Sequence, residues 1–267
     1  MTFKFSALLL ALSAASGANA LTAGDIAFNS FNADEDGFSI VALTNISANT
    51  TIYFGDNEFV SGAFNSGESF SKWVSGAGVI NAGTVIRFTS VDTTSLAASV
   101  GSFTRETVSG SANWGLSNSN ETLYAFQGSS ATAPTSFLAA ITNGDFAVDG
   151  SLTGTGLVEG VTAIRLNANN TSATPDYAVY NGVRSGLSSF ASYLPLLNNA
   201  SNWTVDTTAP TPPQCPTPRL SASPPRPTCP NPPAAPSPWQ VWAWLACWPA
   251  AARWPERHVM LDGPRRP

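Results

Sequence analysis

Asn32-Ala33-Asp34-Glu35-Asp36-Gly37 sets oxygen-bearing side chains at alternate positions and a glycine at the sixth. Hard divalent cations take six to eight oxygen ligands, and alternating side chains in a tight loop supply roughly three of them. The spacing therefore points to calcium as the candidate cofactor, with Asn32, Asp34 and Asp36 as its first ligands. The twelfth position is Leu43 rather than a bidentate glutamate, so the missing oxygens must come from elsewhere. Asp56, Asn57 and Glu58 are the nearest suitable group. The same stretch also reads as a solvated hairpin turn, in which Asp36-Gly37 provides the positive φ that joins two strands. A third reading pairs the carboxylates as catalytic acid and base or nucleophile, as in glycoside hydrolysis.

What is absent narrows the chemistry further. All three cysteines (Cys215, Cys229, Cys247) and the single histidine (His258) lie beyond residue 209. The body of the chain thus has no disulfide, thiol nucleophile or imidazole. Ser-His-Asp and Cys-His catalysis and His-ligated zinc are excluded there. Between residues 21 and 208 five basic residues face fifteen acidic ones, a net charge of −10. Nucleic acid and anionic lipid are poor partners for such a surface, because phosphate binding needs clustered Lys and Arg. Together these absences favour a protein that is not an enzyme.

The two ends differ from the body. Lys4, the apolar run Ala7 to Leu12 and Ala18-Asn19-Ala20 make a secretory signal peptide over residues 1–20, with the mature chain starting at Leu21 and export through the Sec pathway. A secreted or cell-surface location follows. Residues 21–208 are long enough for one large domain with a real core. Residues 209–267 read as a disordered Pro-rich tail that also holds five of the eight tryptophans. Its apolar stretch, Trp239 to Ala252, is broken by Pro249 and falls short of the roughly 20 residues a membrane span needs.

Any site must be positioned by strands. Short β-like runs alternate with Gly, Asn, Asp and Ser: Asp25 to Phe31, Phe38 to Thr44, Thr51 to Phe54, Thr84 to Thr89, Thr122 to Gln127, Phe137 to Ile141, Ala163 to Leu166 and Tyr177 to Tyr180. Their spacing predicts an all-β fold, a single antiparallel β-sandwich of Ig-like or jelly-roll-like type. In Leu123-Tyr124-Ala125-Phe126 both faces are apolar, as expected of a central strand covered on both sides. Short helices are expected only at Thr93 to Val100 and Ser188 to Leu197, the second limited to about two turns by Pro195.

Tyr53, Phe54, Phe59, Phe64, Phe70 and Trp73 crowd the Gly-rich stretch from Ser61 to Gly78. They are either core and edge cover or an exposed platform that stacks on sugar rings. The second reading makes exopolysaccharide or cell-surface glycan the partner. Trp114 and Trp203 read as plugs for the sandwich ends. Seven Asn-x-Ser/Thr triplets, at Asn45, Asn49, Asn120, Asn169, Asn170, Asn199 and Asn202, express a polar, neutral surface more than a set of glycan acceptors.

Phe38 to Asn45, Thr51 to Phe54, Gly83 to Phe88 and Leu116 to Leu123 resemble the strand order of lamin-tail-type Ig-like sandwiches, and Leu116 to Phe126 resembles that family's Leu-Ser-Asn turn. Gly24-Asp25-Ile26, Phe54 to Glu58 and Asn202-Trp203 resemble exported bacterial proteins that carry a PEP-CTERM sorting signal. Regrouping the codons of Thr228 to Pro232 by one base permits Val-Pro-Glu-Pro, and the same shift across Pro238 to Pro249 permits an apolar run followed by arginines. The tail is thus similar to a frameshifted sorting signal, which in the shifted frame implies transient membrane anchoring before release.

Overall fold

A computed structural model describes residues 20–207 and 220–222, all within one compact unit. The chain runs through β1 (Ile26–Asn32), β2 (Gly37–Ala42), β3 (Thr51–Gly55), β4 (Phe59–Val60), β5 (Ala63–Phe64), β6 (Phe70–Val74), β7 (Val85–Thr89) and β8 (Ala97–Ala98). It continues through β9 (Ser102–Arg105), β10 (Thr122–Ser130), β11 (Ala133–Thr142), β12 (Ala163–Arg165), β13 (Tyr177–Tyr180) and β14 (Ser185–Leu187). A 3-10 turn (Ala191–Tyr193) and the helical turn α1 (Leu194–Leu197) precede β15 (Trp203–Asp206) and β16 (Ser221–Ala222). Two six-stranded sheets form the sandwich, one in the order β15-β13-β1-β2-β7-β8 and the other β12-β11-β10-β3-β6-β9. Every pairing in them is antiparallel except β11 with β12. All eight strands expected from the sequence are present.

Between the sheets lies an aromatic core. Phe38 stacks on Phe88 with ring centres 4.7 Å apart, and Phe54 sits 4.9 Å from Phe38 and 4.8 Å from Phe88. Trp73 meets Phe88 edge-on and donates its Nε1–H to the Val100 carbonyl at 2.7 Å, so the indole is buried without leaving a polar atom unpaired. The outer face of β1 is covered too: α1 packs on it, and Tyr193 and Leu197 join the same core.

A second, smaller core covers the outer face of the other sheet. Alternation along β10 sends Leu123 and Ala125 inward and Tyr124 and Phe126 outward. The β4–β5 flap folds over the outer pair: Phe59 lies 4.9 Å from Phe137, and Phe64 lies 5.1 Å from Phe126. Phe146 and Leu157 complete the cover. The doubly apolar reading of this strand is therefore correct, and the covering element is the flap between β3 and β6.

One expected helix is absent. Thr93 to Val100 forms turns and the short strand β8, paired with Phe88 and Thr89. Thr93 Oγ1 donates to the Ser90 carbonyl and accepts the Ser95 N–H, local bonds that compete with a helical ladder. The expected helix over Ser188 to Leu197 shortens to the 3-10 turn and α1. Among the described residues no helix is long and apolar enough to cross a membrane. Residues 1–19 of the signal peptide fall outside the described residues, as does the tail except for Leu220 and β16.

Candidate functional site

The acidic loops converge on one end of the sandwich, where three connections meet: the β1–β2 hairpin, the segment after β3 and the segment before β10. In the hairpin, Asn32 Oδ1 accepts the amides of Asp34 (3.1 Å) and Glu35 (3.0 Å), and Asp36 adopts φ 49°. This is the turn geometry that an Asx side chain and a left-handed residue produce together. Glu35 pairs with Arg87. Asp34 is exposed, whereas Asp36 is half-buried and its Oδ1 accepts the Leu116 N–H at 2.6 Å. Burial pushes the Asp36 carboxyl up to about 6, with the charges of Asp92 and Asp34 adding to it against the Leu116 bond.

After β3, Asp56 is buried and holds a single residue with both oxygens. It accepts the Ser69 N–H at 2.7 Å and the Ser69 Oγ–H at 2.9 Å. Asn57 completes the clamp, donating to the Ser69 carbonyl at 3.0 Å and accepting the Glu68 amide at 3.2 Å. Glu58 accepts from Asn65 Nδ2. These bonds close the base of the β4–β5 flap.

Before β10, Glu121 is also buried. Its Oε2 accepts the Ser117 N–H at 2.8 Å, and its own amide donates to Asn143 Oδ1 at 2.7 Å. Asn143 Nδ2 returns to the carbonyls of Ser117 and Pro175. The carboxylates of Asp36 and Glu121 thus take the consecutive amides of Leu116 and Ser117.

Electrostatically the acids fall into two sets. Asp36 feels Asp34 and Asp92, whereas Asp56 feels Glu68, Glu68 feels Glu58, and Glu121 feels Asp56, Glu68 and Glu58. Burial raises Asp56 to about 7, with Glu68 adding to the shift. Glu68 rises to about 7 by burial and the charge of Glu58. Glu121 is raised well above the usual carboxylate range by burial first and by Asp56 second. The three ion pairs among the described residues are Lys72–Glu106, Arg87–Glu35 and Arg165–Asp145, so none neutralises Asp56, Glu68 or Glu121.

The calcium set read from the sequence is therefore divided. Asn32, Asp34 and Asp36 belong to the hairpin, Asp56 and Glu58 to the flap base, and the oxygens of Asn32, Asp36, Asp56 and Glu58 already accept hydrogen bonds. Among the described residues no group of three or more His, Cys, Asp or Glu side chains is arranged to hold a metal ion. Glu68 and Glu121 were not legible as members of the acidic set. Glu121 was visible only as an isolated acid in an Asn/Ser turn, and Glu68 lay within the Gly-rich stretch.

Of the six aromatics, Tyr53, Phe54, Phe59, Phe70 and Trp73 are buried, and only Phe64 is half-exposed. Phe64 borders a cleft of about 410 Å³ that Asn57, Asn65, Glu68 and Thr132 also line. Trp203 is buried on the edge strand β15 and donates Nε1–H to the Leu197 carbonyl at 2.8 Å. Trp114 is half-exposed beneath the Arg105 guanidinium, 4.6 Å from its ring centre. No protein-family model, no curated protein and no solved structure matches this chain.

Proposed function

We propose that this chain is a non-catalytic exported protein of the cell surface or extracellular matrix. Its support is the use to which the polar groups are put. Asp36, Asp56 and Glu121, the carboxylates best placed for acid–base or metal chemistry, accept loop amides. Catalytic pairs need a free carboxyl on either side of a substrate bond, and these are committed to holding loops in place. The leader-like N-terminus and the sorting-signal likeness of the tail add the route: Sec export, transient retention at the membrane, then release.

The test is to express the full chain in a bacterial host and follow its fate. A mature chain beginning at Leu21 in the surface or medium fraction is expected. Retention in the cytoplasm with residues 1–20 attached overturns the exported reading. Turnover of any glycan, ester or peptide substrate that Asp56→Asn abolishes, with the variant still folded, overturns the non-catalytic one.

A carbohydrate-binding or adhesion module is a second reading, favoured by the cleft beside Phe64. There a half-exposed ring stands next to the amide of Asn65 and the carboxyl of Glu68, the combination that stacks on a sugar and bonds its hydroxyls. Retention on an exopolysaccharide column that Phe64→Ala abolishes would favour it.

A further inference from the structure

Tyr193 is fully buried, yet its hydroxyl needs partners that the surrounding strands do not supply in full. It accepts the Leu187 amide at 3.2 Å and donates to the Ser221 carbonyl at 2.6 Å. Ser221 in turn donates its amide to the Arg184 carbonyl at 2.8 Å, so β16 runs parallel to β14 with Ser185 opposite Ser221 and Leu187 opposite Ala222. Leu220 enters the main core, 6 % exposed. Its carbonyl lies against Gly83, where an added Cβ would come within 2.9 Å. Gly83 has φ 85°, so a side chain there is disfavoured both by the backbone and by the approach of the segment.

These contacts belong to a peptide in a groove. One apolar side chain fills a pocket, and the main-chain N–H and C=O of the next residue, Ser221, are bonded to Arg184 and Tyr193 and fix the register, the mode by which an extended peptide adds to a strand edge. Without the segment, the Tyr193 hydroxyl and the Arg184 carbonyl each lose a partner, and the Leu220 position becomes a hole in the core. The groove is thus built for an occupant.

We propose that the strip formed by β14, Gly83 and Tyr193 is a peptide-binding groove whose occupant is the chain's own Leu220–Ala222 segment. The segment acts as a clasp that seats the start of the C-terminal extension on the sandwich. One main-chain bond, one bond from a tyrosine hydroxyl and one leucine make a weak contact between separate molecules, but a tethered segment meets its groove at millimolar effective concentration. The clasp therefore stays closed in cis while remaining able to open.

Trypsin reads this state directly, because Arg219 immediately precedes the docked Leu220 and a protease needs the bond and its flanks free. In the full chain, cleavage after Arg219 is expected to be slow. Leu220→Asp is expected to speed the Arg219 cut at least about tenfold. Tyr193→Phe keeps the ring and removes the hydroxyl's bonds to Ser221 and Leu187, so it speeds the same cut to a smaller extent. It also decides the matter should Leu220→Asp fail to fold. Equal cleavage after Arg219 in wild type and in the folded variants overturns the clasp. Protection that grows with protein concentration together with a dimer in gel filtration overturns its assignment to the same chain.

Discussion

Asp36 accepts the amide of Leu116 at 2.6 Å although the two residues stand eighty positions apart. The hairpin carboxylate is therefore the anchor of a distant loop, and this role separates its possible replacements. Asparagine keeps an acceptor oxygen and tolerates the left-handed backbone at this position. Alanine removes the acceptor and strands a half-buried N–H, a loss of about 1–3 kcal/mol. Urea unfolding is expected to rank wild type and Asp36→Asn close together, with Asp36→Ala well below both.

The pH dependence follows from the direction of the shifts. Asp36 rises to about 6, Asp56 and Glu68 to about 7, and Glu121 higher than its normal range. A carboxyl with a raised folded-state pKa binds its proton more tightly in the native state than in the unfolded one. Its contribution is complete below the unfolded value of about 4 and is lost as pH rises through the folded one. The melting temperature is thus expected to fall between pH 4 and pH 7. Glu121→Gln retains an acceptor for Ser117 and removes the charge, so it should flatten this slope and stabilise the protein at pH 8. A melting temperature that climbs across the interval would refute the account.

Calcium provides a separate check. A site with a dissociation constant one-hundredth of the added concentration would stabilise the fold by about 2.7 kcal/mol. Because the hairpin and flap oxygens already accept hydrogen bonds, neither calcium nor chelator is expected to move the melting temperature measurably. A clear rise with calcium that Asp34→Asn or Asp56→Asn removes would establish the loop as a metal site.

The two cores should respond differently to truncation. Phe88 lies between the sheets among Phe38, Phe54, Trp73 and Phe103. Phe88→Ala is expected to cost about 3–5 kcal/mol of global stability. Phe59 sits in the flap, so Phe59→Ala should cost less globally and raise amide exchange over residues 56–69 selectively. Uniform loss of protection in both variants would mean that flap and sandwich open as one.

Strands with apolar residues on both sides of a β-branched centre, such as Phe38 to Ala42, were legible because burial and propensity agree there. β6 was not: Ser71 and Lys72 interrupt Phe70 and Trp73, and the glycines around it disguise a central strand as a loop. β15 was hidden by its half-exposed edge position. For the acidic end, residue type was readable but grouping was not. Asp56 and Glu121 come together through the pairing of β3 with β10, a relation of topology that local periodicity does not carry. The Asp36-Gly37 turn, by contrast, is local chemistry, and the hairpin closes there as expected.

The docking of Leu220 carries a consequence at the level of the gene. Leu220 fills the core, so a frameshift of the kind we propose for the tail would begin after codon 222. The one-base slip that would bring out a Pro-Glu-Pro signal is then confined to codons 223 to 228. That interval encodes Pro224, Pro225 and Pro227, whose triplets all begin with paired cytosines.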